Sequence, residues 1–591
     1  MLKKLKNLVA VSWESTWQNR FGFFAFVLIF VFAYGIDLLS PWFLGKTLSE
    51  LADKGVTQAS LSNILGYILI YVLIRISVVS LHHLGRIIQL RTGFESKLES
   101  LQRLLVSCLT YPLKWHLKRH SGENLNRIHR ASAAVEAVIS TYIWQVIDGL
   151  VKVIFAAAAI AYLNFKVVVI VMITGAISVY FMLFFNKKLL DYVKAMNFFW
   201  DRVNKLLVDT LTNIVSVKML GLEKALADRV IKSRAQGSGV YKKLARFMEL
   251  KWGSIGIGFV LMTGLSIIVY LFDLKSKGQA VDIAAIYVLL DYLNRINQAI
   301  ASFTGYYGGL LESATNFEDG YDILTGVGSL KTKQPLANGE QFTWNKIVIK
   351  NLSFRYNLSD LAGIECSDLH IFHGDKIAIV GPSGSGKSTF MRCLAGLVEP
   401  QVAEIYADNN SVDLLLISRS AILMPQEPEL FSDTIYFNLV FNRNLPEEVI
   451  AQSLRLAEID GLIKRLPQGL ETDLAHHGLS ISVGEKQRLA LARGFIMAHE
   501  YDIMLLDEPT SSVDPTTERQ IFTNMLTFFA PKTIFCTVHR LSMVPMFDKI
   551  VVIRDGKMVE AGSFDDLVAI RGEFFRLWSD FLNVDPQVAL S

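Results

Sequence analysis

Residues Gly381, Pro382, Ser383, Gly384, Ser385, Gly386, Lys387 and Ser388 carry the spacing GxxxxGK[ST]. Glycines at these positions let the backbone curl until successive N–H groups face one phosphate, and the start of a following helix adds its own unpaired N–H groups. Lys387 then reaches the β and γ phosphates, and the Ser388 hydroxyl is placed to bind Mg2+. ATP is the implied ligand. Farther along, the apolar run 501–506 ends in Asp507 and Glu508. Asp507 suits the coordination shell of the metal, and Glu508 suits the polarisation of an attacking water. Gln426, within Met424-Pro425-Gln426-Glu427, suits contact with both metal and water. His539 follows the apolar run 533–538 and suits a hydrogen bond to the γ-phosphate.

These groups can meet only if several strands deliver them to one place. The run 347–354 has the look of a strand, and 376–380 is a short apolar strand leading straight into the glycine loop. That gives the strand-loop-helix setting the motif requires, and it predicts an α/β P-loop NTPase domain over 347–591. Upstream, 326–346 holds Gly326, Gly328, Pro335, Asn338 and Gly339 among polar residues and reads as a linker.

The remaining half is of another kind. The chain of 591 residues is 51% hydrophobic, too apolar for a soluble enzyme. Apolar stretches at 21–45, 61–90, 135–165, 167–186, 255–272 and 280–311 predict about six membrane crossings in a helical bundle over 21–325. The connections 91–130 and 186–251 are rich in Lys and Arg, so the positive-inside rule puts them, both termini and the NTPase domain in the cytoplasm. They are long enough for the membrane helices to continue into the cytosol. Residues 1–20, with Lys3, Lys4 and Lys6 between apolar residues, read as a cytoplasmic helix along the membrane surface or, as the alternative, a solvated basic tail. A net charge of +4 without a dense basic stripe argues against nucleic acid as a partner. Cys108, Cys366, Cys393 and Cys536 form no CxxC pair and read as free thiols in a reducing compartment.

Asp37, Arg75, Asp148, Lys152, Asp291 and Arg295 fall inside the spans, where charge is costly. Asp291, Arg295 and Gln298 share one helix face by their i, i+4, i+7 spacing, and Asp148 and Lys152 repeat the i, i+4 arrangement. They either line a path for a translocated molecule or neutralise one another so that the helices can insert.

In order and spacing these motifs resemble those of ATP-binding cassette exporters of the half-size type, over nearly the whole chain. The resemblance implies that Gly381 to Ser388 form the Walker A loop, with Thr389 in the same nucleotide site. It makes Asp507 the Walker B acid, Glu508 the catalytic base, Gln426 the Q-loop residue, His539 the switch histidine and Tyr356 the ring that stacks on adenine. It also implies coupling helices near 112–123 and 209–223, a dimer of half-transporters, and ATP-driven export of an amphipathic peptide, lipid-linked compound or drug by alternating access. A bacterial inner membrane is the expected location. The rival reading is a nucleotide-gated channel or regulatory subunit, against which an intact Glu508 and His539 argue.

Two stretches depart from the family pattern. Ile481-Ser482-Val483-Gly484-Glu485 stands where LSGGQ is usual. Ser482 and Gly484 remain as expected contacts to the γ-phosphate held by the opposite subunit, while Val483 and Glu485 should weaken that contact through bulk and negative charge. His476, ahead of Gly478, replaces a usual glutamate. Heterodimeric relatives commonly pair a catalytic glutamate with a poor signature, but many half-size exporters self-associate, and the homodimer is slightly favoured.

Overall fold

The computed structural model describes residues 2–117, 121–326, 342–356, 363–427, 429–474 and 481–582. Most of the linker 326–346, the pair His476 and Gly478, and part of 112–123 lie outside the described residues. The chain divides into two units, Met1–Thr110 with Arg119–Ser329, and Tyr111–Lys118 with Leu330–Ser591.

The first unit is all helix. Its elements are α1 (Leu2–Ser15), α2 (Arg20–Asp37), α3 (Ser40–Lys54) and α4 (Gln58–Leu109). After α5 (Leu113–Leu117), which belongs to the second unit, come α6 (Ser121–Ala137), α7 (Ile143–Leu163), α8 (Phe165–Thr212), α9 (Ile214–Leu220), α10 (Glu223–Ser276) and α11 (Ile283–Thr325). Helix α1 buries Leu8 and Val11 while Lys3 and Lys6 stay exposed, the two sides of an amphipathic helix. The first predicted span, 21–45, is two helices. The interruption falls at Leu38 and Leu39, because Pro41 cannot donate a backbone hydrogen bond and sits in the opening turn of α3. Helices α7 and α8 meet through Asn164, whose Oδ1 accepts from Lys166 N at 2.9 Å, so the tight turn expected there is present.

Among the described residues, five helical segments are long and apolar enough to cross a membrane. The sixth expected crossing, 280–311, falls in α11, a continuous helix of 43 residues. It is not among those five, and Asp291 and Arg295 lie within it. Helices α8, α10 and α4, of 48, 54 and 52 residues, far exceed the roughly 20 residues a bilayer needs. Helix α9 and its flanks occupy 209–223, one of the two places where a short helix was expected.

Small residues let these helices approach closely. The Phe30 ring lies where a Cβ on Gly85 would sit, 2.7 Å from that position. Where α6 passes into α7, residues Val138–Tyr142 form a π-helical turn, which releases carbonyls from the usual ladder. Helix α4 takes them up: Gln89 Nε2 donates to Ile139 O and Arg86 Nη1 to Ser140 O, both at 2.6 Å.

The second unit is built on a ten-stranded sheet. In chain order its strands are β1 (Lys346–Arg355), β2 (Gly363–Phe372), β3 (Lys376–Val380), β4 (Val402–Ala407), β5 (Asn410–Ser411), β6 (Ala421–Met424), β7 (Ile503–Leu506), β8 (Thr533–Thr537), β9 (Lys549–Arg554) and β10 (Lys557–Gly562). Across the sheet the order is β5-β4-β1-β2-β10-β9-β3-β8-β7-β6. The run from β9 to β6 is parallel, so its strands all end at one edge. Both faces of these strands are buried, which is why they read as unbroken apolar runs. In β3, Ala378 and Val380 enter one core with Cys536 and Leu506. Ile377 and Ile379 enter the other with Phe535 and Leu505. All four cysteines are unpaired and buried.

Candidate nucleotide site

The chain leaves β3 at Val380 and turns through a loop that only glycine can make at two points. Gly381 has φ +152°, and a Cβ on it would lie 2.0 Å from Ile553 O. Gly386 has φ +108° and would meet Gly363 O. The loop opens directly into the helix Lys387–Leu394. Lys387 Nζ is buried and donates to Gly381 O and Pro382 O at 3.0 Å each, so the loop closes around its own cation. Burial lowers the Lys387 pKa, and the negative charges of Glu508 and Asp507 oppose that shift. Ser385 Oγ, in the same loop, is buried without a hydrogen-bond partner.

The parallel ends of β7 and β8 supply the acids. Asp507 N donates to Met424 O at 2.9 Å, the last rung before the strand ends. Asp507 Oδ1 accepts from Ser388 Oγ at 3.1 Å and from Thr537 Oγ1 at 3.0 Å. Glu508 has φ +49°, an unusual conformation for a residue with a side chain. Its N–H donates to Thr537 Oγ1 at 2.6 Å, which holds the turn. The Glu508 carboxylate is bound on both sides, by Gln426 Nε2 at one oxygen and by His539 Nε2 at the other.

One cavity of about 490 Å3 is lined by Tyr356, Gly363, Ser383, Gly384, Gly386, Lys387, Ser388, Thr389, Gln426, Glu508 and His539. Residues scattered over 184 positions of sequence are thus gathered around one space. Tyr356 is partly exposed at its rim, next to Phe354 and within 3.4 Å of Arg392 Nη1. Gly381, Pro382, Ser385 and Asp507 are not among the lining residues, though Gly381 and Pro382 bond Lys387 and Asp507 bonds Ser388.

Ser482 and Gly484 do not line the cavity. Ser482 starts the helix Val483–Ala498, and its Oγ accepts from Glu485 N at 3.2 Å. Glu485 Oε2 in turn accepts from Ser482 N at 2.9 Å and from Ser482 Oγ at 2.8 Å. This is a capping box, S-x-x-E, so Glu485 has a local structural role beyond its charge. These bonds hold its carboxyl below the usual range, helped by Arg488 and Arg465.

Two residues that matter here escaped the reading of motifs. Thr537 joins Asp507 to Glu508, as described. Gln487 is buried behind the site; its Nε2 donates to Glu508 O and Ser511 Oγ at 3.1 Å and to Gln426 O at 3.5 Å, and its Oε1 accepts from Ser512 N at 2.9 Å. One amide therefore ties the loop that carries Gln426 to the loop that carries Glu508, Ser511 and Ser512. Replacing Gln487 by Leu, which keeps the bulk but loses these bonds, is expected to lower ATP turnover about tenfold or more, given roughly 1–3 kcal/mol for each buried group left unpaired. The affinity for ATP should change less than threefold. Steady-state kinetics with a parallel nucleotide titration would check this, and a proportional loss of both would contradict it.

In the membrane unit, Asp291, Arg295 and Gln298 are brought to one cavity of about 330 Å3, together with Asp37, Arg75 and Lys152. Each acid has found a base: Arg75 Nη1 donates to Asp37 at 2.6 Å, Lys152 Nζ to Asp148 at 2.8 Å, Arg295 Nε to Asp291 at 2.6 Å, and Arg295 Nη1 also to Asp37. Neutralisation and cavity lining turn out to coexist.

Comparison with known proteins agrees with both halves. Residues 364–511 match the ABC transporter family and residues 23–296 the ABC transporter transmembrane region. The multidrug resistance-like ATP-binding protein MdlB of Buchnera aphidicola subsp. Acyrthosiphon pisum is 23% identical over 93% of this chain and 94% of its own. ATP-binding cassette sub-family B member 6 of Mus musculus is 28% identical over 79% of this chain, which spans about half, 55%, of that protein. The fold is similar to that of a bacterial Atm1-family ABC exporter solved with ATP bound, at a TM-score of 0.83 and 22% identity, over 95% of this chain and 99% of that one.

Proposed function

Because the chain belongs to the ABC transporter family, as an exporter-type half-transporter whose ATPase is coupled to transport, we propose that two copies form one pump for an amphipathic substrate. ATP binding would close the two nucleotide-binding domains and turn the membrane bundle outward; hydrolysis would reset it. The observation that carries this reading is the Glu508 carboxylate, held between Gln426 and His539 in the same cavity as Lys387. A domain that only sensed nucleotide would not need this arrangement.

In this reading Lys387 and the loop N–H groups bind the phosphates, Tyr356 stacks on the adenine, Glu508 takes a proton from the attacking water, and His539 and Gln426 orient that carboxylate. Ser388 Oγ and Asp507 Oδ1, hard oxygen donors 3.1 Å apart, fit Mg2+, with Gln426 as a third contact. Mg2+ would supply charge neutralisation between the phosphates. Ser482 and Gly484, lying outside the chain's own cavity, would serve the nucleotide of the second copy. The basic segments 91–130 and 186–251 support a cytoplasmic ATPase domain, with a bacterial inner membrane as the proposed setting.

ATP-dependent uptake of a fluorescent amphipath into inverted vesicles, against its gradient, tests the proposal. Hydrolysis without accumulation would favour the gated-channel reading instead. The homodimer makes a separate prediction. Glu485→Gln keeps the cap acceptor but removes a negative charge from the end of the signature helix. ATPase of the chain purified alone should then rise about threefold to tenfold, on the order of 1 kcal/mol for one charge near phosphate. An unchanged rate would point to a second, different subunit as the source of the working signature.

A further inference from the structure

The 330 Å3 cavity of the membrane unit carries five charged side chains, and its hydrogen bonds are not evenly spent. Both oxygens of Asp37 are taken, Oδ1 by Arg75 Nη1 and Oδ2 by Arg295 Nη1. Arg295 is buried and uses three nitrogens, on Asp37, Asp291 and Ser40 Oγ. Lys152 is held by Asp148. Asp37 and Arg295 thus bind each other and their neighbours in one frame, to which Asp291 gives its Oδ2.

The larger open capacity is that of donors. The Arg75 side chain is 48% exposed, and its one ion pair leaves most of its guanidinium fork free to face the cavity. Tyr71 sits one helical turn before it on the same face of α4. The amides of Asn294 and Gln298 are exposed across from it on α11, beside Arg295. A planar guanidinium with hydroxyl and amide donors around it matches a carboxylate or phosphate, to which arginine can give two parallel bonds. A cation would find both oxygens of Asp37 already in use.

We propose that this cavity binds an anionic group, a carboxylate or a phosphate, carried by the translocated molecule, with Arg75 as its main partner and the Asp37–Arg295–Asp291 frame holding the geometry. The proposal rests on the transport reading above and narrows its substrate to amphipaths bearing an anion.

Binding of radiolabelled N-dodecanoylglycine and of its uncharged amide to the full chain in phosphatidylcholine nanodiscs tests it without depending on ATP turnover. The acid should bind at least tenfold more tightly than the amide. Arg75→Gln should bring the two within twofold, and Arg75→Lys, which keeps the charge but loses the fork, should retain a preference of about threefold. Equal binding of acid and amide, no binding of either, or a preference surviving in Arg75→Gln would overturn the proposal. Adding phosphatidic acid to the discs separates the sources of the anion: competition assigns the site to a lipid headgroup, and no competition assigns it to a free amphipath. ATPase measured in the same discs reads the transport proposal separately. A chain that discriminates the probes but hydrolyses no ATP sinks the pump and leaves the anion site standing.

Discussion

Lys387→Ala is expected to abolish ATP binding, with affinity falling about a hundredfold or more and no measurable turnover. The buried ammonium sits on Gly381 O and Pro382 O, with the opposing charges of Asp507 and Glu508 acting on it. Phosphates would replace those carbonyls as its partners. Removing a buried, charge-assisted donor from an anion costs about 2–5 kcal/mol, which is enough for the stated loss. The variant also leaves two acids facing the phosphates without a compensating cation. Titration with a fluorescent ATP analogue, beside a melting curve to show that the domain is folded, checks the result. Binding within threefold of the unsubstituted chain would remove the nucleotide site as placed here.

Glu508→Gln should behave in the opposite way. Glutamine has the same shape, can occupy the same turn at φ +49°, and can still accept from His539, so ATP should bind with nearly unchanged affinity. It cannot take a proton from water. Loss of a general base costs about 10²–10⁴-fold in rate, so phosphate release should fall below about 1% of the original while bound ATP persists. A stable dimer with nucleotide trapped inside should then be recoverable by size exclusion with Mg2+ present. Turnover at the ordinary rate would show that Glu508 is not the base. Read together, the two substitutions separate binding from chemistry.

Much of the nucleotide site was legible in the sequence because its chemistry is local. A phosphate loop must be glycine-rich and must join a strand to a helix, and Gly381 to Ser388 satisfy both conditions within eight positions. Asp507 and Glu508 announce themselves as two acids ending an apolar run. Glu485 was legible as well, since Ser482-Val483-Gly484-Glu485 has the spacing of a capping box. Read only for charge, it hides the bonds by which it holds Ser482. Gln487 gave no such signal. A glutamine within a helix looks like surface until the fold shows two loops meeting at its amide.

The membrane half divides along the same line. Apolar length announced the crossings, and the i, i+4 spacing announced the pairs Asp148–Lys152 and Asp291–Arg295, because both depend on one helix alone. The meeting of Asp37 with Arg75 and Arg295, 38 and 258 positions away, belongs to packing between helices. So does the repair of the π-helical turn by Gln89 and Arg86. By itself the sequence determined the residue types, the periods and the local loops, and hence a P-loop ATPase behind a membrane bundle. Only the tertiary structure decided which distant side chains share a cavity, because a hydrogen bond of about 3 Å between helices depends on their crossing and rotation, which no single segment encodes.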